Sequence, residues 1–191
     1  MVASGYLRRF TVDEYYAMAD AGILAPEERV ELLNGQVIQK SSYPPIRSST
    51  IMRINTFLHQ LLRNEPCILS CKHPVRCSRY DEPEPDLSIL KYQADFYASG
   101  HPEPSDVLLI AEITIDALER ERTIKATLYA THLIPTYWIV NLQDRQIEVY
   151  TQPKDRQYRT RQTFLPGEEL KIPDFDLQVA VDELLGPAPE Q

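Results

Sequence analysis

The chain is poor in cysteine, glycine and histidine, with 3, 6 and 4 residues respectively in 191. Three cysteines are an odd number, which argues against a disulfide framework. Six glycines exclude a collagen-like chain, and no low-complexity tract or internal repeat interrupts the sequence. No run approaches the ~20 apolar residues of a membrane-spanning helix, and Met1 to Arg9 lacks the apolar core of a signal peptide. The expectation is a cytoplasmic protein without a membrane segment. Positive charge is short as well. Against 20 Lys and Arg stand 28 Asp and Glu, a formal charge of -8, which argues against coating nucleic acid through bulk charge. It leaves room for an enzyme in which part of the negative charge belongs to groups awaiting a cation.

What is present suits one globular domain over residues 1–191, with 43% apolar and 25% charged residues. The chain is organised around two apolar runs, Leu87 to Leu90 and Val107 to Ile113, which read as buried strands. Each carries a carboxylate where a core calls for hydrocarbon: Asp86 at the mouth of the first and Glu112 near the end of the second. The second run is the most strand-like in the chain and reads as central, covered on both faces. A helix to about Thr131 follows, with Ile124 and Leu128 as its buried stripe and Lys125 on the stripe's edge. Two buried carboxylates at neighbouring strand ends cannot both stay ionised without a counter-charge. Oxygen ligands with little histidine nearby favour Mg²⁺ or Mn²⁺, and such a cation suits phosphoryl chemistry, with Lys125 orienting water or neutralising an oxyanion. The alternative is a salt-bridged pair, held by Lys125 and by Arg120 or Arg122, that does no chemistry.

Around this stretch the local signals are ordinary ones. Thr11-Val12-Asp13-Glu14 is a capping-box pattern that opens a short helix. Arg29 to Ile38 is a hairpin turning on Asn34-Gly35, in which Glu31 is either a solvated strand residue or a third carboxylate of the site. A helix capped by Ser48 runs to Arg63, with Arg47 and Arg53 on its polar flank, where they could meet phosphates. Cys67, Cys71, His73 and Cys77 lack the spacing of a zinc site and read as a strand or hairpin with small apolar cysteines. Lys91 to Asp106 is a long excursion, a surface loop or lid. Asp116 opens the helix before Lys125 with a cap-like pattern. Strands are expected from Thr136 to Leu142, Ile147 to Tyr150 and Tyr158 to Phe164, and a short closing helix from Val179.

Five segments, in this order, resemble the Uma2 family, whose members are commonly labelled restriction endonucleases: Phe10 to Tyr15, Arg29 to Gly35, Glu82 to Leu87, Asp106 to Glu112, and Lys125 through Tyr129 to Val140. The likeness covers about Arg9 to Leu185. It implies an α/β (α+β) restriction-endonuclease-like fold with a mixed central sheet flanked by helices, and hydrolysis of DNA phosphodiesters dependent on Mg²⁺ or Mn²⁺. Carried over by position, Asp86 and Glu112 are the metal ligands, Glu31 is an accessory acid, and Lys125 is the lysine that this family takes from the following helix. Thr114 stands where the wider nuclease superfamily often has that lysine. Arg47 stands where relatives often show histidine, and Asn141 where they often show aspartate. The same resemblance implies a homodimer acting on two strands. A catalytically inactive module of this fold, binding nucleic acid or protein, is the alternative.

Overall fold

A computed structural model of the chain describes residues 7–40 and 44–188. Helix α1 (Val12–Asp20) starts on Thr11, whose hydroxyl accepts from the Glu14 amide while the Glu14 carboxylate accepts from the Thr11 amide, the reciprocal capping expected. Strands β1 (Val30–Leu33) and β2 (Gln36–Gln39) form the hairpin, with Asn34 and Gly35 at φ of 51° and 72°, as a type I′ turn requires. Gly35 is fixed by space too, because a Cβ there would stand 2.6 Å from Cβ of Arg9. This hairpin is a two-stranded sheet of its own. It is tied to the acidic segment before the first core strand: the Glu82 amide donates to the Leu32 carbonyl at 2.8 Å and the Asn34 amide to Asp81 at 2.6 Å.

Helix α2 (Pro45–Leu61) begins at Pro45, not at Ser48. Proline suits the first turn, where its missing N–H has no intrahelical partner to lose. Arg47 therefore sits inside the helix's opening turn. The flank read as exposed holds for Arg53 but not for Arg47, which is 6% exposed.

Strands β3 (Cys67–Cys71), β4 (Leu87–Lys91), β5 (Val107–Thr114), β6 (Thr136–Asn141), β7 (Gln146–Lys154) and β8 (Gln157–Phe164) form a six-stranded sheet in that order. The β5–β6 pair is parallel and the others antiparallel, so the sheet is mixed. Cys67 and Cys71 end β3, and Cys77 is buried in the segment beyond it. The excursion from β4 to β5 is built of turns and a short 3-10 helix (Pro104–Asp106), with Tyr92 and Phe96 exposed.

A parallel pair needs a crossover. Here it is a broken helix: α3 (Leu118–Arg120), a π-helical turn over Glu121–Lys125, and α4 (Ala126–Thr131). Asp116 does not cap it; the Thr114 hydroxyl accepts from the Ala117 amide at 3.1 Å instead. The wider turn also changes which side chains face the sheet. Ile124, expected in the buried stripe, is 51% exposed, and Lys125 is 1% exposed.

The chain closes with a hairpin of β9 (Glu169–Ile172) and β10 (Leu177–Ala180) and a short helix α5 (Val181–Leu185). Val179 is thus in a strand rather than at a helix start. Helices α2 and α5 and the β9–β10 hairpin cover one face of the sheet through Ile51, Leu58, Leu109, Trp138 and Leu184. The other face packs Ile110, Tyr137 and Ile139 against Leu33 of the first hairpin and Tyr129 of α4. Among the described residues no helix is long and apolar enough to cross a membrane.

Candidate active site

The site forms where the hydrogen-bond ladder between β4 and β5 runs out. Leu87 pairs with Ala111, and Asp86, one residue before β4, continues the pairing with its side chain: Oδ2 accepts from the Ile113 amide at 2.9 Å. The adjacent Glu112 alternates with Ala111 and Ile113 and so turns to the opposite face of β5, toward α4. There its Oε1 accepts from Lys125 Nζ at 2.6 Å and from the Tyr129 hydroxyl at 2.8 Å. Lys125 Nζ also stands 3.1 Å from Oε2 of Glu31, and the Glu84 amide donates to the same oxygen at 3.1 Å. The four residues named at the outset, Glu31, Asp86, Glu112 and Lys125, therefore lie around one strand end, none more than 2% exposed. The solvated readings of Glu31 and Lys125 do not hold.

Arg47 completes the cluster from the far layer. Its Nη2 donates to Asp86 Oδ2 at 2.8 Å and its Nε to the Ile113 carbonyl at 2.6 Å. The salt-bridged alternative assigned the counter-charge to Lys125 and to Arg120 or Arg122; Lys125 does pair with Glu112, but Arg122 pairs with Glu148 on β7 and Arg120 approaches Glu121 at 3.4 Å. Two further members had not been singled out. Tyr129, one helical turn past Lys125, buttresses Glu112. Glu121, one turn before it, is a fourth buried carboxylate that accepts from the Tyr137 hydroxyl at 3.3 Å. Their signal in sequence was the four-residue spacing on either side of Lys125.

The π turn is what lets one short segment serve three contacts, since its extra residue per turn carries Lys125 inward while Glu121 stays buried. Lys40, at the end of the first hairpin, is taken up by the Glu84 carbonyl and carboxylate at 2.8 and 2.7 Å.

Electrostatically the site is short of positive charge. Burial alone would push Glu112 up, but the ammonium of Lys125 outweighs it and holds the carboxyl below its ordinary range. Burial would lower Lys125, yet Glu112, Glu31 and Glu121 raise it, so it stays charged. Asp86 moves the other way. Burial and the charge of Glu112 push it up more than Arg47 pulls it down. Glu121 is pushed up to about 7 by burial, with Glu112 and Glu31 adding to the effect against Lys125 and Arg120. Four buried carboxylates thus face three buried cationic side chains, Lys125, Arg47 and Lys40, the last of them taken up by Glu84, and raised proton affinity at Asp86 and Glu121 is how the site relieves the excess.

A divalent cation fits this donor set. Carboxylate and carbonyl oxygens are hard ligands of the kind Mg²⁺ and Mn²⁺ take. Glu31 also keeps one oxygen, Oε1, buried without a hydrogen-bond partner, an arrangement that costs on the order of 1–3 kcal/mol unless something occupies it. Among the described residues, no three His, Cys, Asp or Glu side chains already stand close enough to enclose an ion. Any cation held here completes its coordination with water or substrate.

Comparison with known proteins agrees with this frame. Residues 12–182 match the family model Uma2, described as "Putative restriction endonuclease". A crystal structure from Anabaena variabilis ATCC 29413, described as a "putative nuclease belonging to DUF820", superposes with a TM-score of 0.72 at 16% identity, covering 92% of this chain and 97% of that one. At that identity the likeness establishes the fold. No curated protein matches the chain. With its model spanning nearly the whole of α1 to α5, the chain belongs to the Uma2 family.

Proposed function

We propose that this protein is a divalent-cation-dependent endonuclease that hydrolyses phosphodiester bonds of DNA at the Glu31–Asp86–Glu112–Lys125 cluster. The observation that carries the reading is the buried surplus of carboxylate over cation, with the unpartnered oxygen of Glu31 at its centre. A purely structural ion-pair network has no use for that surplus. Asp86 and Glu112 would hold the cation, with Glu31 as an accessory acid beside them. When bound, it supplies charge neutralisation for the phosphate and makes a nearby water more acidic.

The chain's own residues do the rest. The Lys125 ammonium, kept charged by Glu112 and Glu31, is placed to donate to the attacking water or to a developing phosphoryl oxyanion. Tyr129 fixes Glu112 in one rotamer by holding Oε1. Thr114 is spent on the Ala117 amide and starts the crossover helix, which leaves the lysine role to Lys125. Arg53, exposed on α2, is available to a phosphate backbone. With a formal charge of -8, binding to DNA should be weak and rest on local phosphate contacts, which salt competes away. The chain acts as a homodimer in this reading, one site per strand.

The test is nicking of supercoiled plasmid at low ionic strength. Mg²⁺ or Mn²⁺ should support it, a chelator should stop it, and Asp86→Asn and Lys125→Ala should abolish it. Metal-independent nicking, or nicking that survives Asp86→Asn, would overturn the assignment. A second reading, a nuclease fold that binds nucleic acid or protein without cutting it, is favoured by one observation: Arg47 already supplies a positive charge to Asp86. It expects DNA retention without cleavage under every metal tested.

A further inference from the structure

Arg47 does more than neutralise one carboxylate. Its guanidinium spans two acceptors of different kinds, the Asp86 carboxylate on β4's approach and the Ile113 main-chain carbonyl on β5, at 2.8 and 2.6 Å. Those two oxygens belong to adjacent strands at the same sheet end. A carboxylate beside a carbonyl is a hard-oxygen pair, the chemistry a divalent cation seeks. Arg47 and Asp86 are both buried, so the interaction is not a solvated surface contact that opens at no cost. The arginine also enters from the first turn of α2 rather than from the sheet or crossover helix that carry the other members. It can leave without unpicking the β4–β5 ladder.

We propose that Arg47 is a built-in plug, a guanidinium that occupies the Asp86–Ile113 oxygen pair in the resting protein and must be displaced for a divalent cation to bind there. This rests on the nuclease reading above and specifies how its site is kept closed. Cation binding is then coupled to release of the start of α2, and the freed Arg47 becomes a basic group beside the opened site, where a DNA phosphate would arrive. Because a ligand shifts such an equilibrium only through its differential affinity for the two states, the resting protein should bind the cation weakly and the unplugged one tightly.

Calorimetric titration with MnCl₂ in the absence of DNA tests this on four proteins: wild type, Arg47→Gln, Asp86→Asn, and the double variant Arg47→Gln/Asp86→Asn. Glutamine keeps an amide donor for the Ile113 carbonyl and removes the charge. The expected result is Mn²⁺ binding at least about tenfold tighter in Arg47→Gln than in wild type, with that gain lost in the double variant. Equal binding by wild type and Arg47→Gln overturns the plug and leaves the cation site standing. No binding by any of the four overturns both. Tight binding that persists in the double variant overturns the plug as well, since the cation is then held without Asp86.

Wild-type protein supplies a readout that needs no substitution. The Arg47 Nε–H, buried and bonded to a carbonyl, should give a slowly exchanging NMR signal that loses its protection on saturation with Mg²⁺. A signal that keeps its shift and protection at saturating Mg²⁺ contradicts displacement.

Discussion

Lys125 Nζ stands 2.6 Å from Oε1 of Glu112, and both side chains are buried. Removing the ammonium leaves Glu112 and Glu31 buried without their nearest counter-charge. Lys125→Met should therefore cost about 3–5 kcal/mol, read as a fall in the denaturant midpoint. Adding Glu112→Gln should restore part of the loss, because the two substitutions act on one interaction. An unchanged midpoint in Lys125→Met would show that the pair does not hold the strand end to the crossover helix.

Tyr129→Phe removes a single hydroxyl that donates to the same carboxylate oxygen. A hydrogen bond to a charged acceptor is worth roughly 1.5–3 kcal/mol, and the ring packing against Tyr137 is kept. The expected outcome is a modest loss of stability together with a fall in nicking rate, because Glu112 loses one of the contacts that fix its rotamer. Full activity in Tyr129→Phe would remove the tyrosine from the positioning role.

Glu121 gives a pH signature. Burial raises its pKa from the ordinary 4.5 to about 7, so between those values the folded chain binds more proton than the unfolded one. Stability from this group is complete below pH 4.5 and is lost as pH rises through about 7. Glu121→Gln should remove that downward slope, so the variant gains on wild type from acid toward neutral pH. Parallel stability curves for the two proteins across the window would contradict the assignment. Glu112, whose pKa is held down by Lys125, contributes the opposite slope, lost as pH falls, and the glutamine variant leaves that slope in place.

Much of this fold could be read from the chain because its signals are local. Val107 to Ile113 is continuous hydrocarbon apart from Glu112, and it became the buried strand expected of such a run. Asn34-Gly35 named its turn. The positions that escaped are those where a longer-range demand overrode a local rule. Regular 3.6-residue periodicity puts Ile124 inside and Lys125 on the edge, whereas the π turn exposes Ile124 and buries Lys125 among Glu31, Glu112 and Glu121. Local pattern also cannot show that a proline-opened helix would push Arg47 across the sheet end to Asp86. In both places a partner lies on another element, Glu112 13 residues from Lys125 and Asp86 39 residues from Arg47, and the cost of burying a charge makes sense only once that partner is in view.

The central proposal is that Asp86 and Glu112 hold one cation with Glu31 as an accessory acid, and counting Mn²⁺ ions tests it most directly. Free Mn²⁺ followed by electron paramagnetic resonance during titration should give one bound ion per wild-type chain. Binding should be weakened in Glu31→Gln and lost in both Asp86→Asn and Glu112→Gln. Stoichiometry and affinity unchanged across all three variants would place the ion elsewhere and contradict the account.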